Sequence, residues 1–181
     1  AEVKTASMQF DDGLYTVLAI RDISQQKEQE EHILYQAQYD LLTHIPNRFL
    51  ARDRAEQAIK KADKHGSKIA LMFIDLDGFK KVNDSLGHDV GDLLLQHATK
   101  RFQSCLSESD TLARHGGDEF IILLEDIATP SDAEIYIEKI LEQFSNPFTI
   151  ENKELFVTTS IGVAIYPDDA TDYQSLLRAS D

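Results

Sequence analysis

The sequence has no tryptophan, a single cysteine, four prolines and no apolar run long enough to span a bilayer. With one thiol, Cys105, an intramolecular disulfide is excluded. No metal-ligand spacing surrounds that thiol, so it reads as a helix-packing residue in a reducing compartment. Basic residues are also scarce: Lys and Arg number 18 against 32 Asp and Glu, a formal charge of −14. Such a surface repels a phosphate backbone, which argues against nucleic acid as a partner. Any phosphate-bearing ligand must then be met by metal ions or local basic groups. No signal-peptide pattern is present, so the expectation is a cytoplasmic stretch without membrane contact of its own. It begins with Ala1 rather than Met and stops at "LLRASD" inside an apparent helix, so both ends are expected to continue into a longer chain that could itself be membrane-attached.

What is present is organised in three parts. Residues 1–23 read as two alternating strands, "VKTASMQF" and "LYTVLAIRDI", around the turn signal "DDG". A lone hairpin is only marginally stable, so it is expected to belong to a larger upstream domain. "RDIS" leading straight into a charged helix resembles the exit of a PAS sensor domain. Residues 24–39 read as a polar linker helix, with Ile23, Glu30 and Ala37 one heptad apart and Leu34 and Leu41 another. Both a short coiled coil and a solvated helix fit that pattern. From residue 40 to 181 helices and strands alternate: a helix over "FLARDRAEQAIKKADKHG", a strand over "SKIALMFIDLD", a helix over "DVGDLLLQHATKRFQSCL", strands over "DTLARH" and "EFIILLE", a helix over "PSDAEIYIEKILEQF" capped by Ser131 or Asp132, and one long strand over "ELFVTTSIGVAIYP".

From Lys68 onward the order is β-α-β-β-α-β, an α+β ferredoxin-like core in which helices flank a sheet containing antiparallel strands. A right-handed crossover makes the first two strands of that core parallel. The end of the first, "IDLD", and the hairpin in "RHGGDEF" must then meet at one sheet edge, although 43 residues separate Asp75 from Asp118. Gly116-Gly117 suits a two-residue turn of positive φ and leaves room for a bulky ligand. Asp118 and Glu119 cannot both face Asp75 from a regular strand unless a turn or bulge intervenes. Clustered carboxylates repel one another unless a cation joins them, and oxygen ligands beside phosphate favour Mg²⁺, with Mn²⁺ as the alternative. This edge therefore reads as a metal-dependent phosphoryl or nucleotidyl transfer site.

The adjoining "DLDGFKKVNDSLGHDVGDLLL" fits that chemistry. Gly78 allows a tight turn, the amides near Phe79 and Lys80 can cradle phosphate, and Lys80 and Lys81 supply positive charge. Asn83 and Asp92 offer an amide and a carboxylate, and a carboxylate accepting from adjacent N–H donors selects guanine over adenine. Taken singly, these residues have ordinary uses. Gly-Gly-Asp turns many hairpins, Asp75 and Asp77 can end a strand, Asn83 can cap a turn and His88 can pack. Their conjunction at one edge favours catalysis.

"DLLTHIPNR", "FIDLDGFKKVND", "GHDVGDLLL" and "RHGGDEF", in this order and spacing, resemble the GGDEF family of diguanylate cyclases from about Tyr39 to Asp181. The resemblance implies a fold related to the polymerase palm and to nucleotidyl cyclases. It also implies condensation of two GTP into cyclic di-GMP and pyrophosphate by a homodimer, in a chain that can carry a downstream phosphodiesterase domain. It implies metal ligation by Asp75, the carbonyl of Leu76, Asp118 and Glu119, with Asp118 also as general base and Glu119 as the neighbouring signature acid. It places guanine at Asn83 and Asp92, the substrate pocket at His88 and beside Gly116 and Gly117, and phosphate at the amides of Phe79 and Lys80. Asp40, Thr43 and Arg48 resemble the motif tying the linker to the domain, where His44 and Ile45 replace its usual Gly-Leu. The family continues into a helix with a triphosphate-contacting lysine that lies beyond Asp181, so catalysis is expected of the longer protein rather than of this stretch alone. Its inhibitory product site, Arg-x-x-Asp, is degenerate here: Ser107 replaces the arginine while Asp110 is kept. Two other readings stand beside the cyclase: a non-catalytic GTP-binding regulatory module, and a purely structural dimerisation domain, which leaves the clustered acids unexplained.

Overall fold

The computed structural model describes residues 2–10 and 13–181; the turn expected at Asp11 and Asp12 lies outside them. The chain divides into two compact units, Ala1–Ala37 and Gln38–Asp181. In the first, β1 (Glu2–Phe10) and β2 (Gly13–Arg21) pair antiparallel from Glu2↔Arg21 to Phe10↔Gly13. The helix that follows, α1 (Ser24–Gln38), is capped by the Asp22 carboxylate, which accepts from the Ser24 amide at 2.9 Å. Ile33 and Leu34 are exposed on it, as a helix with too few apolar residues for a core of its own requires.

The second unit opens with α2 (Arg48–His65), whose N-cap Asn47 accepts from the amides of Phe49 and Leu50 and whose C-cap Gly66 is left-handed. The elements that follow are β3 (Lys68–Leu76), α3 (Phe79–Leu86), α4 (His88–Cys105), β4 (Thr111–Gly116) and β5 (Glu119–Ile127). Then come α5 (Pro130–Ser145), β6 (Phe148–Ile150), β7 (Lys153–Leu155), β8 (Thr159–Tyr166) and α6 (Tyr173–Ser180). The sheet order is β4-β5-β3-β8 with every neighbouring pair antiparallel, so β3 and β4 run the same way two places apart. This is the ferredoxin-like arrangement expected from the element order, and it brings the C-terminal end of β3 to the β4–β5 hairpin.

Strand alternation divides the core between two faces. Ala70, Met72, Ile74 and Leu76 of β3 join Phe120, Ile122 and Leu124 of β5 against Leu94, Ala98 and Phe102 of α4 and Ile140 and Phe144 of α5. Ile69 and Leu71 of β3 join Ile121 and Leu123 of β5 against the alanine stripe Ala51, Ala55, Ala58 and Ala62 of α2 and against Tyr173 and Leu176 of α6. Small side chains on α2 let it lie close to the sheet.

Four boundaries differ from the sequence expectation. The segment expected as a phosphate-binding turn is the helix α3; its apolar residues Phe79, Val82 and Leu86 stand at helical spacing, and Val82 and Leu86 pack on the core beside buried Phe79. The long last strand is two pieces. β7 turns back on β6 through Glu151 and Asn152, both at positive φ, and β8 starts only at Thr159. The α5 cap is Thr129, in a capping box with Asp132 and with Pro130 in the first turn, because Asp132 at the third helical position reaches back to the Thr129 amide. The two-residue turn between β4 and β5 is Gly117-Asp118 rather than Gly116-Gly117, since Gly116 pairs with Glu119.

Arg101 closes the C-terminal end of α5. Its guanidinium donates to the carbonyls of Gln143, Asn146 and Pro147 and lies 3.5 Å from the Phe148 ring centroid. Burial holds its pKa below the usual arginine value. Lysine cannot reproduce a fork spread over three acceptors. Arg101→Lys should therefore cost about 1–2 kcal/mol and Arg101→Ala about 2–4 kcal/mol in urea unfolding; stability equal to wild type in both would show the contacts to be incidental.

Candidate active site

The site begins with register. Asp75, the penultimate residue of β3, pairs directly with Glu119, the first residue of β5. By alternation both side chains lie on the α2/α6 side of the sheet, and both line a cleft of about 420 Å³ with Phe73, Ser160, Gly162 and Asp181. Of the two signature acids, then, Glu119 is the one set opposite Asp75. Asp118 occupies the turn, where its carbonyl accepts from the Leu76 amide at 3.3 Å. The bend comes from Gly117, at φ 50°, and from an irregularity between Arg114 and Gly116 that leaves His115 as the extra residue of the β4 strand.

The electrostatics follow from this crowding. Burial raises the pKa of Asp75, and the negative charges of Asp118, Asp77 and Glu119 raise it further. Asp77, one residue past the strand, is engaged elsewhere: it accepts from the hydroxyls of Thr158 at 2.6 Å and Ser160 at 2.7 Å, pinning β8 to the end of β3. Among the described residues no donor or cation is bonded to the Asp75 carboxylate. Sequence alone carried no signal for Thr158 or Ser160, because their role depends on β8 pairing with β3.

The cation expected here can be tested against the donor set. Among the described residues no three acidic, imidazole or thiol side chains form a ready-made metal cage. One or two carboxylates with substrate phosphates completing the shell is the usual way Mg²⁺ is held, so a mutually repelling Asp75, Asp118 and Glu119 at the edge of an open cleft suits that ion.

The other expected site residues fall on the two helices next to β3. Phe79 and Lys80 are the first two residues of α3, after the left-handed Gly78, which offers no side-chain cap. The intrahelical bonds to the Gly78 carbonyl begin only with Lys81 and Val82, which leaves the first-turn amides of Phe79 and Lys80 facing outward from the helix start. The Phe79 side chain is buried, so this residue contributes backbone only, whereas Lys80 is exposed. Asn83 lies on α3, His88 opens α4 and Asp92 follows one turn later; His88 and Asp92 are exposed, as are Gly116 and Gly117.

Arg114 links this edge to the segment after Gln38. Its Nε and Nη2 donate to the Gly117 carbonyl at 2.9 and 2.7 Å, while Nη1 donates to the Asp40 carboxylate at 3.1 and 3.2 Å. Asp40 also accepts from the Thr43 hydroxyl and amide at 2.6 and 2.9 Å. Burial pushes the Asp40 carboxyl up, but the Thr43 and Arg114 hydrogen bonds and the Arg114 charge outweigh it, so its pKa lies below the ordinary value. The Arg114 amide donates to the Pro46 carbonyl at 2.9 Å. Thus Asp40 joins Thr43 near the start of the second unit, and the arginine bonded to Asp40 also holds the signature turn; Arg48, expected with them, makes none of these contacts.

Ser107 and Asp110 line a separate cavity of about 270 Å³ with His44, Arg54, Gln103 and Glu108. There Asp110 turns inward on its own loop, accepting from the Ser107 amide at 2.9 Å and from the Ser107 hydroxyl. Arg101 and Arg114 are committed to the contacts already described.

The raised Asp75 pKa has a definite sign. Stability tied to this group is fully present below its unfolded value and is lost as pH rises through its folded value. Asp75→Asn should therefore raise the melting temperature of the metal-free protein at neutral pH, and Mg²⁺ should stabilise the wild type more than the variant. A lower melting temperature in the variant would mean that the carboxylate is paired rather than crowded.

A family model for the diguanylate cyclase GGDEF domain matches residues 37–181. The bifunctional diguanylate cyclase/cyclic di-GMP phosphodiesterase MucR of Pseudomonas aeruginosa is 43% identical over 145 residues, which are 80% of this chain and 21% of MucR. The chain spans between about a fifth and just over a third of the length of the curated relatives it matches. The GGDEF domain of TpbB from Pseudomonas aeruginosa aligns with a TM-score of 0.76 at 37% identity, covering 77% of this chain and 82% of that one. A sensory box/GGDEF family protein from Caulobacter crescentus gives a TM-score of 0.76 at 34% identity, over 80% and 93% of the two chains. The family match over the second unit, the level of identity and the shared sheet lead to one conclusion: this chain belongs to the GGDEF family of diguanylate cyclase domains.

Proposed function

We propose that the protein is a diguanylate cyclase that joins two GTP molecules into cyclic di-GMP as a homodimer. The observation that carries this reading is the pairing of Asp75 with Glu119 at the sheet edge, with Asp118 in the turn beside them. Each subunit holds one GTP. Asn83 and Asp92 bind the guanine, His88 borders the pocket, and the α3 amides of Phe79 and Lys80, with the Lys80 ammonium, bind phosphate. Gly116 and Gly117 leave the hairpin bare for the nucleotide to approach. Asp75, the Leu76 carbonyl, Asp118 and Glu119 hold Mg²⁺ or Mn²⁺. That ion, when bound, stabilises charge on the phosphoryl oxygens and lowers the pKa of the attacking hydroxyl.

Asp118 takes the proton of the 3′-hydroxyl as the oxygen bonds to the α-phosphorus of the GTP held by the other subunit. The α–β phosphoanhydride bond breaks and pyrophosphate leaves. A second, symmetric transfer closes the ring. One subunit holds half of this reaction, so assembly of the dimer is a natural control point, and the linker helix after a PAS-like sensor is its lever. The Asp40–Arg114–Gly117 chain of hydrogen bonds supports such coupling, since it ties the domain entrance to the turn that carries Asp118. A downstream phosphodiesterase domain is supported by the two activities in MucR's name. No helix among the described residues is long and apolar enough to cross a membrane; the proposed site of action is the cytoplasm.

Incubating the full-length protein with GTP and Mg²⁺ should yield cyclic di-GMP. Asp118→Ala should lower the rate at least about a hundredfold, the usual scale for losing a positioned base, without lowering the melting temperature. A variant with the wild-type rate removes Asp118 from the mechanism, and a wild type that binds GTP without forming product favours the regulatory-module reading.

Product control is expected to be weak. A high-affinity product site needs the bidentate charge that Ser107 lacks, and Asp110 is already bonded to Ser107. Added cyclic di-GMP should leave the initial rate of the wild type unchanged within about twofold, the equivalent of under about 1 kcal/mol in the apparent barrier. Strong inhibition that disappears in Asp110→Ala would contradict this.

A further inference from the structure

Gly91 is a glycine in the first turns of α4, away from any turn, and it is buried. Glycine there weakens a helix relative to alanine, so its presence calls for a local reason. The reason is a neighbour. A Cβ built on Gly91 would stand 1.9 Å from Oδ1 and 3.0 Å from Cγ of Asn83, with Phe79 Cζ at 3.4 Å. The Asn83 amide therefore fills the volume that any other residue at 91 would occupy.

A second observation concerns the same atom: Asn83 Oδ1 is buried and has no hydrogen-bond partner among the described residues. A buried acceptor without a donor is costly, and a ligand that brings an N–H to it recovers that cost. The residue after Gly91 is Asp92, whose carboxylate is a second acceptor. Acceptors carried on the successive helices α3 and α4 match a purine edge with a ring N–H next to an exocyclic amino group. An adenine edge presents a ring acceptor there instead.

We infer that Gly91 is a positioning residue for base selection: by leaving room for the Asn83 amide against α4, it sets where that amide lies relative to the helix that carries Asp92. This rests on the nucleotide reading of the site proposed above. Gly91 touches no ligand itself and acts through Asn83. The clash created by a side chain falls on the far end of Asn83, which can swing away, so a substitution should cost recognition rather than folding.

The experiment measures binding of GDP and ADP by calorimetry in the full-length protein, since neither nucleotide can release pyrophosphate and confuse binding with turnover. The wild type should prefer GDP. Gly91→Ala should weaken GDP binding about tenfold, the equivalent of one misplaced hydrogen bond. It should leave ADP binding within about twofold, and its melting temperature should be no lower than that of the wild type. Asn83→Ala vacates the contested volume, so Gly91→Ala/Asn83→Ala should bind GDP no worse than Asn83→Ala alone. If the wild type shows no preference for GDP, the nucleotide reading fails and this inference with it. If the wild type prefers GDP and Gly91→Ala keeps that preference, or the double variant loses further affinity, only the role of Gly91 is overturned.

Discussion

Carboxylates placed opposite each other on neighbouring strands repel, and the β3–β5 register makes that repulsion unavoidable at Asp75 and Glu119. Much of the surrounding structure can be understood as holding this pair in place. The β3–β5 and β3–β8 ladders run to the end of β3, so the backbone beneath Asp75 cannot relax away from its neighbours. Asp77 is drawn aside by Thr158 and Ser160, leaving Asp75 to meet the cleft. Core packing on both faces of the sheet then compensates for an edge that is electrostatically unfavourable by itself.

The hairpin that carries Asp118 needs a different kind of support. A turn built on two glycines and an acid has little side-chain packing of its own, and Arg114 supplies what is missing by holding the Gly117 carbonyl with two N–H groups. The same guanidinium holds Asp40, with the Arg114 side chain 13% and Asp40 25% exposed. A partly buried, multiply bonded ion pair of this kind fixes geometry more than it adds stability. Its consequence is mechanical: displacement of the backbone at Asp40 reaches the signature turn through one side chain. The Thr43 and Arg114 hydrogen bonds and the Arg114 charge depress the Asp40 pKa by favouring its charged form, so protonating it in acid would weaken its hold on both.

The fold was largely legible because its information is local and periodic. Apolar alternation in "IALMFIDL" and "EFIILLE", the helical face of Val90, Leu94, Ala98 and Phe102, and the order of elements together implied a ferredoxin-like sheet, and handedness then placed Asp75 near the hairpin. What escaped was decided by only a few residues. α3 has three apolar side chains among polar ones, and Gly78 and Gly87 at its ends read as a loop. The last strand appeared continuous because β7 and β8 are both strand-like; only pairing with β6, and the anchoring of Thr158 on Asp77, show the break. The frame of the Gly-Gly-Asp turn could not be set from sequence, since one extra residue at His115 moves it by one position.

The site divides along the same line. Residues whose proposed role follows from chemical type and position, namely Asp75, Asp118, Glu119, Asn83 and Asp92, already stood out as candidates in the sequence. Residues whose role lies in what they permit or hold were not. Arg114 is one positively charged residue among 18, and nothing in its neighbours says that it spans from Gly117 to Asp40. Gly91 carries no functional group at all, and its part is visible only because the amide of Asn83, eight positions earlier, occupies the space it leaves. Spacing can suggest which groups react. The geometry that aims those groups comes from contacts across the fold, and here it depends on an arginine, two hydroxyls and a missing side chain.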